Sequence, residues 1–521
     1  MIITEILARN GRMYKNDVAL VEREPERNRR GLLTWSEFDR MSDRLAAALA
    51  ALGIQKGDRV AQLMMNCLSF LPVYFGILRA GAVACPLNFR FSAEDIRYCI
   101  STAEAKALIF GPEFTERIRE AKVLLDNHVG TYIYCGDRPL CPEFAIHIDD
   151  FLAGRLPLPE VEMSLGDPAG IYFTSGTTGR PKATLLTHRN LEFSCFLENR
   201  HHNQTRSDNF LCIPPLYHAG AKMHWFGNFI VGARAVILKG VSPEWILEAV
   251  SEEQATVVWL LVPWALDILF AIRSGEVKLS DYKLDQWRLM HIGAQPVPPS
   301  LVKEWRKVFP NQQYDTNYGL TESTGPGCVH LGVENTHKVG AIGVPGFDWE
   351  YKIVDGEEKP VAPGQPGELC VRGPGVMTGY YKNPEATAAT LRDGWLMTGD
   401  IARVDEDGFL WLVDRKKDVI IMGGENIYPV EIENFLHAHP KVADAAVIGI
   451  PNLRLGEIPA AIIRIKEDEK LSEEEILAFC EDLPRYKRPR RIFFGEVPRN
   501  PTGKIEKPKL RARYGGKEQS V

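Results

Sequence analysis

Eleven residues, Tyr172-Phe-Thr-Ser-Gly-Thr-Thr-Gly-Arg-Pro-Lys182, gather the groups that a phosphate needs. Gly176 and Gly179 allow backbone N–H groups to turn toward a ligand. The hydroxyls of Thr174, Ser175, Thr177 and Thr178 add donors, and Lys182 adds a positive charge. The string opens as an apolar run from Ala169 to Phe173, which reads as a buried strand followed by a loop. It cannot be laid over the Gly-x-x-x-x-Gly-Lys-Ser/Thr nucleotide loop. The plain alternative is a polar loop with no ligand, because Gly/Ser/Thr loops are common after strands.

Four other strings carry chemistry. In Thr316-Asn317-Tyr318-Gly319-Leu-Thr321-Glu322, Tyr318 can stack on a purine, Gly319 keeps backbone close, Thr321 can donate to phosphate, and Glu322 offers a hard carboxylate for Mg²⁺. In Asp393-Gly-Trp-Leu-Met-Thr-Gly-Asp400 two glycines shape a turn that presents an acid. Ile213-Pro-Pro-Leu-Tyr217-His218-Ala-Gly220 is a turn ending in an aromatic ring and a histidine, where a partly buried, satisfied histidine is the ordinary outcome. Pro498-Arg-Asn-Pro-Thr-Gly-Lys504-Ile projects a lysine from a Pro/Gly turn, although an isolated Pro-Thr-Gly-Lys would be read as surface. Weaker signals are the tryptophan-bearing apolar run Thr256–Trp264, where core packing is the even alternative, and His291-Ile292-Gly293-Ala294-Gln295.

Together these strings, from about Thr34 to Lys507, resemble the adenylate-forming enzymes: acyl-CoA synthetases, amino-acid adenylation domains and luciferases. The resemblance implies an ATP-dependent acid–thiol ligase. It would activate a carboxylic acid as an acyl-AMP, release pyrophosphate and transfer the acyl group to CoA, with Mg²⁺ on Glu322. It implies that Thr174–Gly179 and Lys182 hold phosphates, that Gly293, Ala294, Gln295, Asn317, Tyr318, Gly319 and Thr321 surround the nucleotide, and that Asp400 and Arg415 meet the ribose. Lys504 is implied as the catalytic lysine and His218 as a gate. Tyr217, Lys222, Trp259, Ile292, Gly293 and Gly319 would line the acyl pocket, Gly423 and Gly424 the CoA tunnel, and Lys417 the hinge. Two positions depart from the family pattern: Ala183 and Ile292 stand where glycine is usual. No carboxylate accompanies His218, which disfavours an amino-acid substrate. Crowding by Trp225, Trp259, Trp264 and Ile292 points to an aromatic, alicyclic or medium-chain acid, while Lys222 and His224 would suit a polar or second carboxylate group. A stand-alone enzyme loading a carrier protein, a luciferase-like oxygenase, and a non-catalytic nucleotide-binding relative are the alternatives.

The elements that must position these groups follow from periodicity. Thr34-Trp-Ser-Glu37 is a capping box, with Phe38, Met41, Leu45, Leu49 and Leu52 at helical spacing and Gly53 as the stop. Ser92-Ala-Glu-Asp95 opens another helix, and Arg59–Met65 and Ala107–Phe110 read as strands. Strands alternating with helices predict an α/β large N-terminal domain of mostly parallel sheets covered by helices, residues 1–414. The resemblance implies a hinge in the charge cluster Asp414–Asp418, and with it comes a small α+β C-terminal domain, residues 415–521. It contains strands at Ala443–Gly449 and Ala460–Ile465 and a helix from Ser472 to about Leu483. Residues 111–165 show little pattern.

The 521 residues are 45% hydrophobic and 25% charged, as expected of a packed protein of more than one domain, and a net charge of −6 gives no reason to expect nucleic acid. The last stretch, Pro484 to Val521, runs the other way, with twelve Lys/Arg against three Glu, or +9. It either balances an acidic body or attracts ATP and CoA phosphates. Ten cysteines without a Cys-x-x-Cys pair predict reduced thiols and a cytoplasmic enzyme. The apolar stretch Val60–Leu87 is interrupted by Asn66, Pro72 and Arg79, so strand–helix–strand is expected rather than an integral membrane segment. The expected partners are small molecules, with the chain a monomer or homodimer.

Overall fold

The computed structural model describes residues 1–123, 125, 129–174, 180–293, 297–499 and 505–515. Thr34 caps the helix Trp35–Ala51, with Glu37 closing the capping box, and Gly53 leaves it at φ +90°. Ser92 and Asp95 do the same for Ala93–Ala103. The apolar stretch resolves into the strand Arg59–Leu63, the ten-residue helix Phe70–Arg79 and the strand Val83–Pro86. Among the described residues no helix is long and apolar enough to cross a membrane.

Two sheets dominate. The first has seven strands in the spatial order Gln313–Asp315, Leu289–Gly293, Val257–Leu261, Asn209–Cys212, Arg234–Leu238, Val18–Glu24 and Arg29–Thr34. Every neighbouring pair is parallel except the last, a hairpin. The second, eight-stranded sheet has a parallel centre that includes Val83–Pro86, Arg59–Leu63, Ala105–Phe110 and Pro168–Thr174. Lys182–Thr187 returns antiparallel on Pro168–Thr174, with Thr174 paired to Lys182. The apolar groups are buried against helices on both faces, as parallel sheets require.

The unpatterned stretch holds the helix Thr115–Lys122 and the strands Thr131–Tyr134 and Ile146–His147. These pieces are too short to display a period: the helix buries only Ile118 and Ala121. A third sheet, built from Glu350–Val354, Gly367–Arg372, Trp395–Val404 and Leu391–Arg392 with Leu410–Arg415 on its flank, is antiparallel. The C-terminal region folds around two apolar clusters drawn from residues 420–514. Its sheet centres on the hairpin Val442–Asn452/Gly456–Ile465, with Arg491–Phe494 added in parallel. The helix expected from Ser472 spans Glu473–Phe479 and tightens into a 3₁₀ turn at Cys480–Asp482. All ten cysteines are free thiols.

Candidate active site

Several candidate site residues lie on or just after parallel strands of the first sheet, whose ends are where open α/β sheets bind ligands. Gly293 closes Leu289–Gly293, Trp259 lies in Val257–Leu261, and Asn317 and Tyr318 follow Gln313–Asp315. His218 is the N-cap of the helix Ala219–Ile230, just beyond the strand Asn209–Cys212.

Three groups meet at Asp400. The buried carboxylate accepts from Tyr318 Oη at 2.6 Å and pairs with Arg415 Nε at 3.0 Å. The antiparallel register sets Asp400 opposite Arg415, while Tyr318 arrives from a small three-stranded sheet in which Asn317–Tyr318 pairs with Val329–His330. Burial and the Asp400 charge push the Tyr318 hydroxyl well above its ordinary range. Asp400 also holds the Arg415 guanidinium more firmly protonated. A cleft of about 290 Å³ opens beside them, lined by Thr398, Gly399, Arg415, Lys416 and Lys417.

A second group forms at Glu322, in the 3₁₀ turn Thr321–Ser323 that follows Tyr318. Tyr380 Oη donates to Glu322 Oε1 at 2.8 Å, and Lys182 Nζ sits 4.8 Å from the centre of the Tyr380 ring. Tyr380 thus links Lys182 to Glu322, the candidate metal ligand. Sequence reading missed it; the available signal was an aromatic pair after a glycine, Gly379-Tyr-Tyr381. Burial, then Glu322, raises the Tyr380 hydroxyl. Gly319 is required by space: a Cβ there would lie 2.9 Å from Gly327 Cα and 3.1 Å from the Gly325 carbonyl.

The acyl-pocket expectations divide. A Cβ on Gly220 would meet Trp259 Cη2 at 3.4 Å and His218 Nδ1 at 3.5 Å, so these three share one space. A Cβ on Gly293 would meet Asn317 Oδ1 at 3.5 Å, and His291 Nε2 and Trp259 Nε1 at 3.7 Å. Neither His291 Nε2 nor Trp259 Nε1 has a hydrogen-bond partner, and both are buried. Behind Trp259, His224 stacks on the indole with centroids 4.2 Å apart, and its Nε2 lies 2.9 Å from Asn317 Nδ2. Tyr217 packs edge-on to Phe89.

Ile292 is not in this group. Successive strand residues face opposite sides, so His291 and Gly293 face Trp259 while Ile292 packs with Leu260, Met290 and Trp305 in the core behind the sheet. Trp225 belongs to an aromatic cluster with Phe38, Phe75 and Phe229, and Trp264 packs against the core that holds Ile292. Of the four residues expected to crowd a pocket near His218, only Trp259 shares its space with Gly220 and His218. Lys222 is also elsewhere: fully buried, it donates to the Leu216 carbonyl at 3.3 Å and lies 4.0 Å from the Tyr74 ring centre and 4.8 Å from that of Tyr172. Burial pushes its amine well below the usual lysine range.

In the C-terminal region, Gly423 (φ +60°) and Gly424 (φ +90°) are the two central residues of the turn joining Ile420–Met422 to Glu425–Ile427. Positive φ at both marks the primed turn that suits a tight hairpin, so the backbone itself calls for glycine here. Lys417 is exposed in the turn after Arg415, where Asp418 N–H donates to the Arg415 carbonyl at 2.8 Å. Ser175, Gly176, Thr177, Thr178, Gly179, Ala294, Gln295 and Lys504 lie outside the described residues.

Comparison with known proteins agrees with this geometry. Residues 7–381 match the AMP-binding enzyme family and residues 431–504 its C-terminal domain. A feruloyl-CoA synthase of an Amycolatopsis species is 34% identical over 93% of this chain and 94% of its own length. A long-chain-fatty-acid–CoA ligase of Mycobacterium tuberculosis is 31% identical over 92% of this chain and 93% of its own. The solved structure of an anthranilate CoA ligase in complex with anthranoyl-AMP superposes with a TM-score of 0.88 at 26% identity, covering 98% of this chain and 97% of the other. The chain therefore belongs to the AMP-binding enzyme family, within the adenylate-forming superfamily that contains the acyl-CoA synthetases.

Proposed function

We propose that this chain is an ATP-dependent acid–CoA ligase. It converts a carboxylic acid to an acyl-AMP with release of pyrophosphate, then passes the acyl group to the CoA thiol. The observation that carries this reading is the Tyr318–Asp400–Arg415 group beside the Lys182–Tyr380–Glu322 group, the two joined by one loop. Asp400 is fixed by its two partners to receive a ribose diol, a task that needs two acceptor oxygens. Glu322 is partly exposed and oriented by Tyr380, and a carboxylate suits Mg²⁺. When bound, Mg²⁺ would neutralise phosphate charge as carboxylate and α-phosphate approach.

In this reading the Thr174–Gly179 loop, Lys182 and Thr321 hold the phosphates, and Lys504 bridges the attacking carboxylate and the α-phosphate. The acid oxygen attacks phosphorus and pyrophosphate leaves. The CoA thiolate then attacks the acyl carbon and AMP leaves. Lys504 must withdraw between the two steps, so residues 415–521 would swing about Lys417 and bring Gly423 and Gly424 to the pantetheine arm.

For the acid we infer a compact aryl compound with a hydrogen-bonding substituent. Trp259 supplies a flat wall, and Trp259 Nε1 and His291 Nε2 are buried polar atoms awaiting partners beside Gly293. Relatives named for ferulate, anthranilate and succinylbenzoate fit the same class. The test is pyrophosphate release with ATP and Mg²⁺ across a panel of acids, with and without CoA. Turnover strongly raised by CoA on hydroxy- or amino-substituted aryl acids is expected. Best turnover on long-chain fatty acids would overturn the substrate class. Release indifferent to CoA would point to a carrier-protein acceptor, and no release on any acid to a non-catalytic relative.

A further inference from the structure

A cluster of buried imidazoles and carboxylates lies beneath the pocket wall, apart from the nucleotide groups. Glu198 and His202 lie one turn apart on the helix His188–His202. Asp315 ends one strand of the first sheet, His291 lies in the next, and His330 is in Val329–His330. None of the five is more than 1% exposed.

Three ring nitrogens converge on one oxygen. Asp315 Oδ2 lies 2.8 Å from His202 Nε2, 3.7 Å from His291 Nδ1 and 3.8 Å from His330 Nδ1. His202 Nδ1 is 3.0 Å from Glu198 Oε2. The tautomer of His330 is set by its other nitrogen, which lies 3.2 Å from the Gly327 carbonyl and must carry the proton to donate there. In the neutral ring Nδ1 then turns a lone pair toward the Asp315 carboxylate, and Nδ1 has no hydrogen-bond partner. Lone pair against carboxylate is repulsive unless a cation stands between them. Among the described residues every ion-pair partner of Glu198 and Asp315 is a histidine, so no Lys or Arg supplies that cation. A backbone carbonyl on the far nitrogen of a histidine is also how ligating imidazoles are commonly oriented.

We propose that His202, Asp315 and His330 bind a divalent transition-metal ion of the zinc class, with His291 as the nearest fourth donor. One ligand atom from each of the first three lies within 4.8 Å of the others. A tetrahedral ion with bonds of about 2.0–2.1 Å sets its donors roughly 3.3 Å apart, so small rotations of the rings suffice. Imidazole with one or two carboxylates selects this class over Mg²⁺, which prefers an all-oxygen shell. The ion is structural. It ties the helix His188–His202 to the strands ending at Asp315 and His330, and through Asn317 and His224 it steadies the wall on which Trp259 rests.

The test is elemental analysis of full-length protein prepared without a metal-binding tag. About one equivalent of zinc or a related ion per chain is expected. After removal by chelator, Co²⁺ should restore the thermal midpoint and give the visible absorption bands of a tetrahedral site. His330→Asn and Asp315→Asn should lose the ion and the bands, whereas His437→Asn, in the helix Pro429–His437, should keep both. Metal-free protein that neither gains Co²⁺ bands nor shifts its midpoint would overturn the proposal, leaving His202 as an imidazolium clamped between two acids. So would an ion retained by both variants. Wild-type stoichiometry and the Co²⁺ spectrum decide the matter even if the variants fail to fold.

Discussion

Tyr380 touches two charges of opposite sign and belongs to no string that sequence reading selected. Its hydroxyl orients Glu322 and its ring underlies Lys182, so Tyr380→Phe keeps the ring and removes one hydrogen bond to a carboxylate. Such a bond is worth about 1.5–3 kcal/mol, and kcat/KM for ATP should fall about 10-fold or more with the fold unchanged. An unaltered Mg²⁺ dependence would deny Glu322 its proposed role. Lys504→Ala should cripple adenylation yet spare thioester formation from supplied acyl-AMP, and equal loss of both half-reactions would contradict two alternating arrangements. Lys222 carries the opposite expectation. Its amine is buried among aromatic rings with one carbonyl partner, so Lys222→Met should leave stability equal or higher, since a flexible apolar chain of similar length replaces a poorly solvated polar group. A rise in KM for the acid at unchanged stability would return Lys222 to the pocket.

At the scale of elements, the loop from Tyr318 to Gly327 is held by close backbone approach. A methyl on Gly319 would meet backbone atoms, which cannot rotate away as a side chain can. Gly319→Ala should destabilise by about 1–3 kcal/mol and displace Tyr318 and Glu322 together, read as a lower thermal midpoint and a raised KM for ATP. This requirement was legible only as a glycine in a motif; the clash partners come from six and eight residues further on. The starts of the helices Trp35–Ala51, Ala93–Ala103 and Glu473–Phe479 were legible, because a capping box is a local pattern of four residues. The antiparallel third sheet was not, since pairing between Gly367–Arg372 and Trp395–Val404 depends on partners distant in the chain. Ile292 was placed in the pocket because a motif names positions without saying which way a strand residue faces.

Across the whole molecule, the junction before the C-terminal region holds a buried acid. Asp414 accepts from Val430 N–H at the start of the helix Pro429–His437, and burial raises its carboxyl from 3.8 to about 6 despite the nearby Lys507. The native state holds this proton more tightly than the unfolded chain, so the Asp414 contribution to stability is greatest below its unfolded pKa. It declines as pH rises through about 6, a loss of up to about 3 kcal/mol. Asp414→Asn keeps an acceptor for Val430 and removes the titration. Thermal midpoints measured from about pH 4 to about pH 7 should therefore fall less in the variant than in the parent. Parallel curves would show that Asp414 titrates normally.

What the sequence alone determined is what depends on neighbours in the chain: the caps, the strand before the Gly/Ser/Thr string, the strand–helix alternation of an α/β protein, and the choice of Tyr318, Glu322, Asp400 and Arg415 as candidates. Tertiary structure decided what depends on residues meeting from far apart. It joined Asp400 to Tyr318 across two sheets, brought Tyr380 between Lys182 and Glu322, turned Ile292 into the core, and gathered His202, His291 and His330 around one oxygen of Asp315. Local order follows from backbone preference and periodicity, which are written in consecutive residues. Side-chain convergence follows from sheet order and facing, which packing of the whole chain selects.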